Sequence, residues 1–300
     1  MFKDFYEIEQ YILERKIVKR IVLCGAHDDA ALSAVVDAYR KGVVNGILIG
    51  DEPKIRELLS QMDERADNYE IIGQPRAKAS AKLAVQLVHE GRADIPMKGD
   101  MSSANYLMPI VDPLDGLMDQ GGILNSVTVF YYPDRDRLMF LTDPALNIAP
   151  SLDEKVSLIK NTVKLAKAFG FEKVRVAILS ALEKVNPDIY GSVDAGRIAD
   201  MDWGNDVIVA GPFALDNALD LEVAEQKGIS SEVAGNADVL LAPEICAGNM
   251  LHKSIHYFAH LPSASAMGGS KSPIVFTSRS DSAESKYYSI LTAILQATHT

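Results

Sequence analysis

The fold is decided by residues 19–50, which read KRIVLCGAHDDAALSAVVDAYRKGVVNGILIG. Residues 19–23 end in the apolar run IVL, and residues 43–49 are mostly apolar, a pattern that predicts two buried strands. Residues 28–41 between them carry apolar side chains at helical spacing, and Gly42 follows where helices commonly end. A strand, an amphipathic helix and a second strand in this order indicate a βαβ unit with parallel strands.

The same alternation continues along the chain. Helical patterns at 53–62 and 76–90 are interleaved with strand patterns at 70–72 and 95–97. Repetition of strand and helix in this way is typical of a doubly wound, mostly parallel sheet. The rhythm breaks at residues 126–141, where two strand patterns flank the turn residues PDRD and predict a β-hairpin.

Because an antiparallel hairpin inside an α/β chain often marks a change of layer or domain, we expect two domains. The predicted fold class is α/β, with two doubly wound α/β domains and a cleft between them. The first domain is expected to be discontinuous and to comprise residues 1–135 and 268–300, and the second to comprise residues 136–267. The last strand and helix would then rejoin the first domain and place the turn at 277–286 beside the cleft.

The composition argues against several classes of protein. A length of 300 residues with 48% hydrophobic residues suits a globular chain of one large or two ordinary domains. The net charge of −11 argues against a nucleic-acid partner, which normally leaves a basic footprint. The sequence shows neither a signal peptide nor an apolar segment near the ~20 residues of a membrane span. Cys24 and Cys246 lack CxxC spacing and indicate free thiols, so a cytoplasmic location is predicted.

A polar cluster follows an apolar run near the C-terminus, where residues 271–290 read KSPIVFTSRSDSAESKYYSI. Residues 271–277 have the pattern of a buried strand, and a helical pattern resumes after the cluster. Ser278 and Arg279 therefore lie between a strand end and a helix start, where free amides favour an anion. A guanidinium there can make bidentate bonds to phosphate or carboxylate, so the cluster indicates an anion site.

Polar residues at neighbouring positions admit both a structural and a functional interpretation. Asp281 with Glu284 three positions later fits a helix N-cap, although either acid could also act as a base. Lys98 directly follows a predicted strand and could neutralise a phosphate, while Ser102 and Ser103 cap the next helix.

The remaining candidate ligands carry less weight. Asn147 lies in the polar run TDPALNIAP and could offer its amide to a ligand, although turns use Asn routinely. His252, His256 and His260 recur every fourth residue, but no carboxylate adjoins them, so we predict no metal site. The sequence contains neither the GxxxxGK[ST] motif nor the GxGxxG motif, which weakens a Walker-type or dinucleotide site.

Several long motifs carry a resemblance to a known family. The C-terminal half contains GPFALDNALDLEVAEQKGISSEVAGNADVLLAPEICAGNMLHKSIHYFAH at 211–260 and SPIVFTSRSDSAESKYYSI at 272–290. TDPALNIAPSLDEK at 142–155 and the lysine-glycine loop at 98–103 extend the likeness upstream in the same order. With these motifs the chain resembles the phosphate acetyl/butyryltransferase family, most strongly its butyryl-transferring branch. Residues 1–90 resemble the family mainly in their strand-helix rhythm.

The resemblance implies a reaction and an architecture. An acyl-CoA and inorganic phosphate would be converted reversibly to an acyl phosphate and free coenzyme A, without a permanently bound cofactor. The family resemblance also implies a two-domain fold related to the isocitrate and isopropylmalate dehydrogenases, with the active site in the cleft. A homodimer or higher homo-oligomer is expected, with acyl-CoA and phosphate as small-molecule partners.

The resemblance also assigns residues, and it departs from the acetyl-transferring branch at two positions. Ser278 and Arg279 match a serine and an arginine of that branch. Its proposed thiol base, an aspartate, corresponds to Ser285, which Glu284 precedes. The arginine that precedes a proline in its upstream helix corresponds to Met108. Both departures favour the butyryl-transferring branch.

The resulting hypothesis gives each residue a role. Arg279 and Lys98 would bind phosphate, and Ser278 would donate a hydrogen bond to the oxyanion or the thiol. Glu284 or Asp281 would be the base. The residues expected to contact substrate are Lys98, Ser102, Ser103, Asn147 and Ser285.

Three alternatives stay open at this point. The chain could be an acetyl-specific phosphate acyltransferase, since chain-length specificity depends on a pocket that motifs do not describe. It could be a metal- and NAD-dependent hydroxyacid dehydrogenase on the related fold, although clustered aspartates and a nucleotide loop are not evident. It could also be a non-catalytic protein that binds acyl-CoA or acyl phosphate, because fold does not fix function.

Overall fold

A computed structural model describes residues 1–118 and 121–299. The strands are β1 (Lys19–Cys24), β2 (Val44–Gly50), β3 (Glu70–Gly73), β4 (Ile95–Lys98), β5 (Asn125–Tyr132), β6 (Arg137–Thr142), β7 (Val174–Leu179), β8 (Val207–Phe213), β9 (Val239–Leu241) and β10 (Ser263–Gly268). The helices are α1 (Phe5–Glu14), α2 (Asp29–Arg40), α3 (Glu52–Gln61), α4 (Ala77–His89), α5 (Ser103–Ile110), α6 (Leu152–Ala168), α7 (Tyr190–Ala199), α8 (Leu215–Leu219), α9 (Leu221–Gln226), α10 (Ile245–Tyr257) and α11 (Ala283–His299). Within these described ranges, no helix combines the length and the apolar character needed to cross a membrane.

The chain divides into two compact α/β units. Unit 1 comprises Met1–Asp4 and Ile123–Pro262, and unit 2 comprises Phe5–Gly122 and Ser263–Thr300. The boundaries therefore fall at 4/5, 122/123 and 262/263, whereas the predicted ones are 135/136 and 267/268. The hairpin of β5 and β6 consequently lies wholly in unit 1, and β10 lies in unit 2. The cleft expected between the domains stays a prediction.

Unit 2 is built on a parallel sheet with the order β3-β2-β1-β4. The predicted βαβ unit is confirmed, since β1 and β2 pair in parallel from Lys19 with Val44 to Cys24 with Ile49. The connecting helix α2 begins where Asp28 caps it, because the Asp28 carboxylate accepts a hydrogen bond from the Ala31 N–H at 2.8 Å. The β1 side chains from residue 21 onward are fully buried, as expected for a central parallel strand.

The segment predicted as a strand at 271–277 is only partly one. Val275 forms a single parallel bridge with Met97, its N–H donates to Pro96 O at 2.9 Å, and its carbonyl accepts from the Lys98 N–H at 3.0 Å. Pro273 has no N–H to donate, which limits the ladder on the N-terminal side of this bridge. The segment is nevertheless buried at 273–277, and it runs beside β4 into the polar cluster.

Unit 1 contains five strands in the order β5-β6-β9-β7-β8. The predicted hairpin is confirmed, since β5 and β6 pair antiparallel and Asp136 takes the left-handed conformation at φ 48° that closes the turn. The remaining neighbours pair in parallel, with α-helices in the connections. Phe140 on β6 packs edge-to-face against Phe169 and Phe171, which anchors α6 to the sheet.

Candidate functional site

The loops that follow β1 and β4 meet at a topological switch point of unit 2. The chain leaves β1 for β2 and β3 on one side and returns to β4 on the other side of β1. Ligands of doubly wound sheets bind at the carboxyl ends of the two strands where this reversal occurs. The Gly99 N–H donates to Cys24 O at 2.8 Å, and the Asp100 N–H donates to Gly25 O at 2.9 Å. These backbone bonds hold the two loops against each other.

Glycine is required where these loops touch. A Cβ added to Gly99 would overlap the carbonyl oxygen of Gly25 and lie 2.7 Å from that of Cys24. Gly25 itself has φ of +65°, and a Cβ there would lie 2.8 Å from Asp100 O. A side chain at either position would push backbone away from backbone, so the close approach depends on both glycines.

Lys98 is the last residue of β4 and lies inside this crevice. Its side chain is buried, with 4% of the residue exposed, and Nζ donates to Thr277 O at 3.4 Å. Burial, and after it the positive charge of Arg279, lowers the pKa of the Lys98 ammonium, while Asp28 and Asp100 oppose the shift. A buried ammonium with a depressed pKa gains from any anion that binds beside it.

Arg279 supplies a second cation close to Lys98. It belongs to the exposed turn at 278–280, and within residues 1–118 and 121–299 no carboxylate forms an ion pair with it. The guanidinium is therefore available for bidentate bonds to a phosphate or a carboxylate. A buried lysine and an arginine without an ion pair among the described residues are therefore the candidates for an anion site at the carboxyl end of β4.

The turn that presents Arg279 is held by Asp281. The Asp281 carboxylate oxygen Oδ2 accepts a hydrogen bond from the Ser278 N–H at 2.8 Å, and 8% of Asp281 is exposed. The Ser278 hydroxyl lies 3.0 Å from the Ser280 hydroxyl and remains at the surface. The Asp281 carboxylate thus has a structural partner, whereas the Ser278 hydroxyl stays accessible to a ligand.

The predicted N-cap of the last helix is wrong by one residue. Helix α11 begins at Ala283, and the Ser282 hydroxyl accepts from the Ser285 N–H at 3.1 Å, so Ser282 is the N-cap rather than Asp281. Glu284 cannot complete a capping box with Asp281 in this register. Its carboxylate instead accepts from the Tyr288 hydroxyl at 3.0 Å, while the Ser285 hydroxyl accepts from Ser282 Oγ at 3.3 Å.

Lys286 belongs to this cluster, and sequence reasoning missed it. The residue is 1% exposed, and its Nζ donates to Ser278 O at 2.7 Å and to Asp281 O at 2.9 Å. Burial lowers the pKa of Lys286, and the charges of Asp281 and Asp28 oppose that shift. Lys286 precedes Ile290 by four positions, so its place on the apolar stripe of α11 was the signal that could have found it.

The serines after β4 occupy the start of α5. The Ser102 hydroxyl accepts from the Asn105 N–H at 3.2 Å, which confirms Ser102 as the N-cap of this helix. Ser103 is the first residue of α5, and both serines are exposed. His27 lies beside the same loop, where its Nε2 is 3.7 Å from an Asp100 carboxylate oxygen.

Asn147 lies in unit 1, whereas the other residues predicted to contact substrate belong to unit 2. Its Nδ2 donates to Leu124 O at 2.9 Å and to the Asp143 carboxylate at 2.6 Å. Both amide N–H groups are therefore engaged, one by Leu124 O and the other by the Asp143 carboxylate, which also accepts from backbone N–H groups of the turn at 143–147. This geometry differs from an amide offered to a ligand.

The histidine row of α10 is not continuous. His252 and His256 lie on the helix with ring centroids 4.7 Å apart, and His252 Nδ1 is 2.9 Å from the Thr128 hydroxyl. His260 lies beyond the end of α10 and has a positive φ of 51°. The three imidazoles therefore do not share one helical face.

Comparisons with known proteins agree with one another. Residues 74–294 match the model of the family described as Phosphate acetyl/butaryl transferase. The chain is 37% identical to the phosphate butyryltransferase of Clostridium acetobutylicum over 99% of both sequences. It is also 37% identical to the phosphate acetyltransferase of Thermotoga maritima, over 91% of this chain and 93% of that relative. The solved branched-chain phosphotransacylase of Enterococcus faecalis V583 is 29% identical, with a TM-score of 0.84 over 94% of this chain and 100% of that one.

Proposed function

The chain belongs to the phosphate acetyl/butyryltransferase family, and we propose that it transfers butyryl or a branched short-chain acyl group between coenzyme A and phosphate. Coenzyme A and phosphate enter as substrates, and the reaction needs no resident cofactor. The observation that carries the proposal is that buried Lys98 lies near Arg279, which has no ion pair among the described residues, at the switch point of unit 2. A phosphate dianion satisfies both cations at once.

The chemistry is a direct displacement. An oxygen of bound phosphate attacks the carbonyl carbon of the thioester, and the carbonyl oxygen becomes an oxyanion. The oxyanion then collapses, the carbon–sulfur bond breaks, and the thiolate of coenzyme A leaves with the electron pair. Arg279 and Lys98 hold the phosphate, and the accessible Ser278 hydroxyl donates to the oxyanion or to the departing sulfur.

The reverse reaction needs a base for the coenzyme A thiol, since a thiol has a pKa of about 8.5. Two acids of the cluster were candidates. The Asp281 carboxylate is buried and bound to the Ser278 N–H, whereas Glu284 is at the surface with only a tyrosine hydroxyl donating to it in the described chain. The geometry therefore supports Glu284 over Asp281 as the base, and Ser285 next to it stays a proposed substrate contact.

The relatives indicate a short acyl chain. Proteins named as butyryl and acetyl transferases both match at 37% identity, and the solved neighbour is a branched-chain enzyme. We favour a four-carbon or branched chain because Met108 and Ser285 depart from the acetyl pattern. A cytoplasmic location and a homodimeric or larger assembly stay predictions.

The decisive experiment follows thiol release from butyryl-CoA with a thiol reagent, with and without inorganic phosphate. We expect release to require phosphate and to be at least about tenfold faster in kcat/KM than with acetyl-CoA, since two methylenes separate the substrates. Isobutyryl-CoA tests the branched alternative in parallel. Release without phosphate would indicate a thioesterase, and equal or faster acetyl transfer would favour the acetyl-specific alternative.

The lowered pKa of Lys98 predicts a pH dependence for phosphate binding. Because the pKa lies below that of an ordinary lysine, the ammonium loses its proton at a lower pH than usual, and phosphate affinity falls with it. We expect KM for phosphate to rise with pH before an ordinary lysine would titrate. In Lys98→Arg, whose guanidinium stays charged, the rise should begin at higher pH. The rise of KM for phosphate at high pH is the alkaline limb of the phosphate profile. If this limb lay at the same pH in both proteins, the role of Lys98 would be contradicted.

A further inference from the structure

We propose, on the basis of the proposed phosphate acyltransfer, that Lys286 is a positioning residue that holds the 278–281 turn so that Arg279 faces the bound phosphate. Lys286 does not itself contact substrate in this scheme. It acts from within α11, where 1% of the residue is exposed. The family resemblance assigns it no role.

The contacts of Lys286 span the turn. Its Nζ donates to Ser278 O at 2.7 Å and to Asp281 O at 2.9 Å, so one ammonium binds a carbonyl on each side of Arg279. Hydrogen bonds from a charged donor are stronger than those from a neutral one. The two carbonyls are thereby fixed relative to each other and to the helix.

Further bonds close the turn. The Ser278 N–H donates to Asp281 Oδ2 at 2.8 Å, and the Asp281 N–H donates to Ser278 O at 3.3 Å. The Lys286 N–H donates to Ser282 O at 3.0 Å and fixes the lysine in the first turn of α11. The backbone around Arg279 is therefore tied to the helix at both ends, while the guanidinium itself remains exposed.

The charge of Lys286 also reaches the phosphate site. Asp281 and Asp28 are the acids that favour its charged form, and the positive charge of Lys286 lowers the pKa of Lys98. Removing the charge at position 286 is therefore expected to raise the pKa of Lys98.

The test compares Lys286→Met, Lys286→Arg and the control Thr292→Val with the intact protein. Thr292 is buried on the same helix, and its hydroxyl has no hydrogen-bond partner in the described chain, so Thr292→Val probes the buried face of α11 alone. We measure KM for phosphate and for butyryl-CoA across pH, and the dissociation constant of inorganic phosphate by calorimetry. Melting temperatures report folding.

For Lys286→Met we expect KM for phosphate to rise about 10- to 100-fold, because charge-assisted hydrogen bonds are lost. KM for butyryl-CoA should stay within about twofold of that of the intact protein. The alkaline limb of the phosphate profile should move to higher pH. Lys286→Arg should recover part of the phosphate affinity and keep the limb where it is, because the charge remains. Thr292→Val should match the intact protein in both constants.

An unchanged KM for phosphate and an unshifted alkaline limb in Lys286→Met would overturn the positioning role. Equal rises in KM for phosphate and for butyryl-CoA would also overturn it. If Lys286→Met fails to fold, Lys286→Gln, which keeps a donor but removes the charge, decides: a phosphate KM equal to that of the intact protein at every pH would count against the role. Calorimetry needs no turnover and separates the two ideas. An intact protein that binds phosphate without releasing thiol would refute the proposed function, whereas the variants' phosphate affinities would still judge Lys286.

Discussion

Replacing Arg279 with alanine is expected to lower kcat/KM for phosphate by about 10²–10³-fold, the range seen when one preorganised donor to a developing charge is removed. The guanidinium is exposed and has no carboxylate partner in the described chain, so its bonding capacity is free for the substrate. Arg279→Lys should recover only part of the loss, because an ammonium is a point charge without the bidentate fork. Initial rates at varied phosphate and saturating butyryl-CoA measure the effect.

The same variant has a second signature. The charge of Arg279 lowers the pKa of Lys98, so Arg279→Ala should raise that pKa and move the alkaline limb of phosphate binding to higher pH. Arg65→Ala is the matched control, since Arg65 is an exposed arginine of unit 2 that pairs with Asp67 at 3.6 Å. It should leave both quantities unchanged. Phosphate dependence in Arg279→Ala like that of the intact protein would remove Arg279 from the site.

The sheet and the hairpin could be predicted because their signals are local. Strand and helix periodicities in residues 19–50 produce the βαβ unit, and a turn-forming tetrapeptide joins β5 to β6. The unit boundaries could not be placed from these signals. A unit boundary depends on contacts between residues that are distant in the sequence. The alternation of strands and helices breaks at the hairpin of β5 and β6, whereas the boundary between the units lies before it.

The candidate site was predictable in part for the same reason. Lys98, Ser278 and Arg279 follow apolar runs, and the carboxyl ends of parallel strands share one edge of a sheet. The prediction of Asp281 as the N-cap was wrong, because Ser282 beside it is an equally good capping residue and residue type does not distinguish the two. The Asp281 carboxylate is bound instead to the Ser278 N–H, a contact that depends on the shape of the turn.

Lys286 shows the limit of reading residues by type alone. A lysine in a charged, exposed-looking stretch is normally expected at the surface. Its spacing from Ile290 places Lys286 on the buried stripe of α11. The two carbonyls that accept hydrogen bonds from its ammonium belong to the turn that precedes this helix. Helical phase was available from the sequence, but the carbonyl partners were not.

Replacing Gly99 with alanine is expected to be the most damaging single change to the architecture of the site. The added Cβ would overlap Gly25 O and lie 2.7 Å from Cys24 O, and both are backbone atoms that cannot rotate away. We expect the free energy of unfolding to fall by about 2–4 kcal/mol, at or beyond the usual cost of overpacking. KM for phosphate should rise as well, because Lys98 immediately precedes the displaced residue. Urea unfolding and steady-state rates measure the two effects.

Gly73→Ala provides the control. Gly73 ends β3 in the same sheet, its φ is not positive, and the nearest atom to an added Cβ is a Glu52 carboxylate oxygen at 3.6 Å, an ordinary contact. This substitution should leave phosphate KM unchanged and the free energy of unfolding within about 1 kcal/mol, since alanine also restricts the unfolded chain. If Gly99→Ala unfolded at the same urea concentration as Gly73→Ala and bound phosphate equally well, the β1 and β4 loops would not be in backbone contact. The loops after β1 and β4 would then be arranged differently at the switch point, and the position of Lys98 would no longer be defined by them.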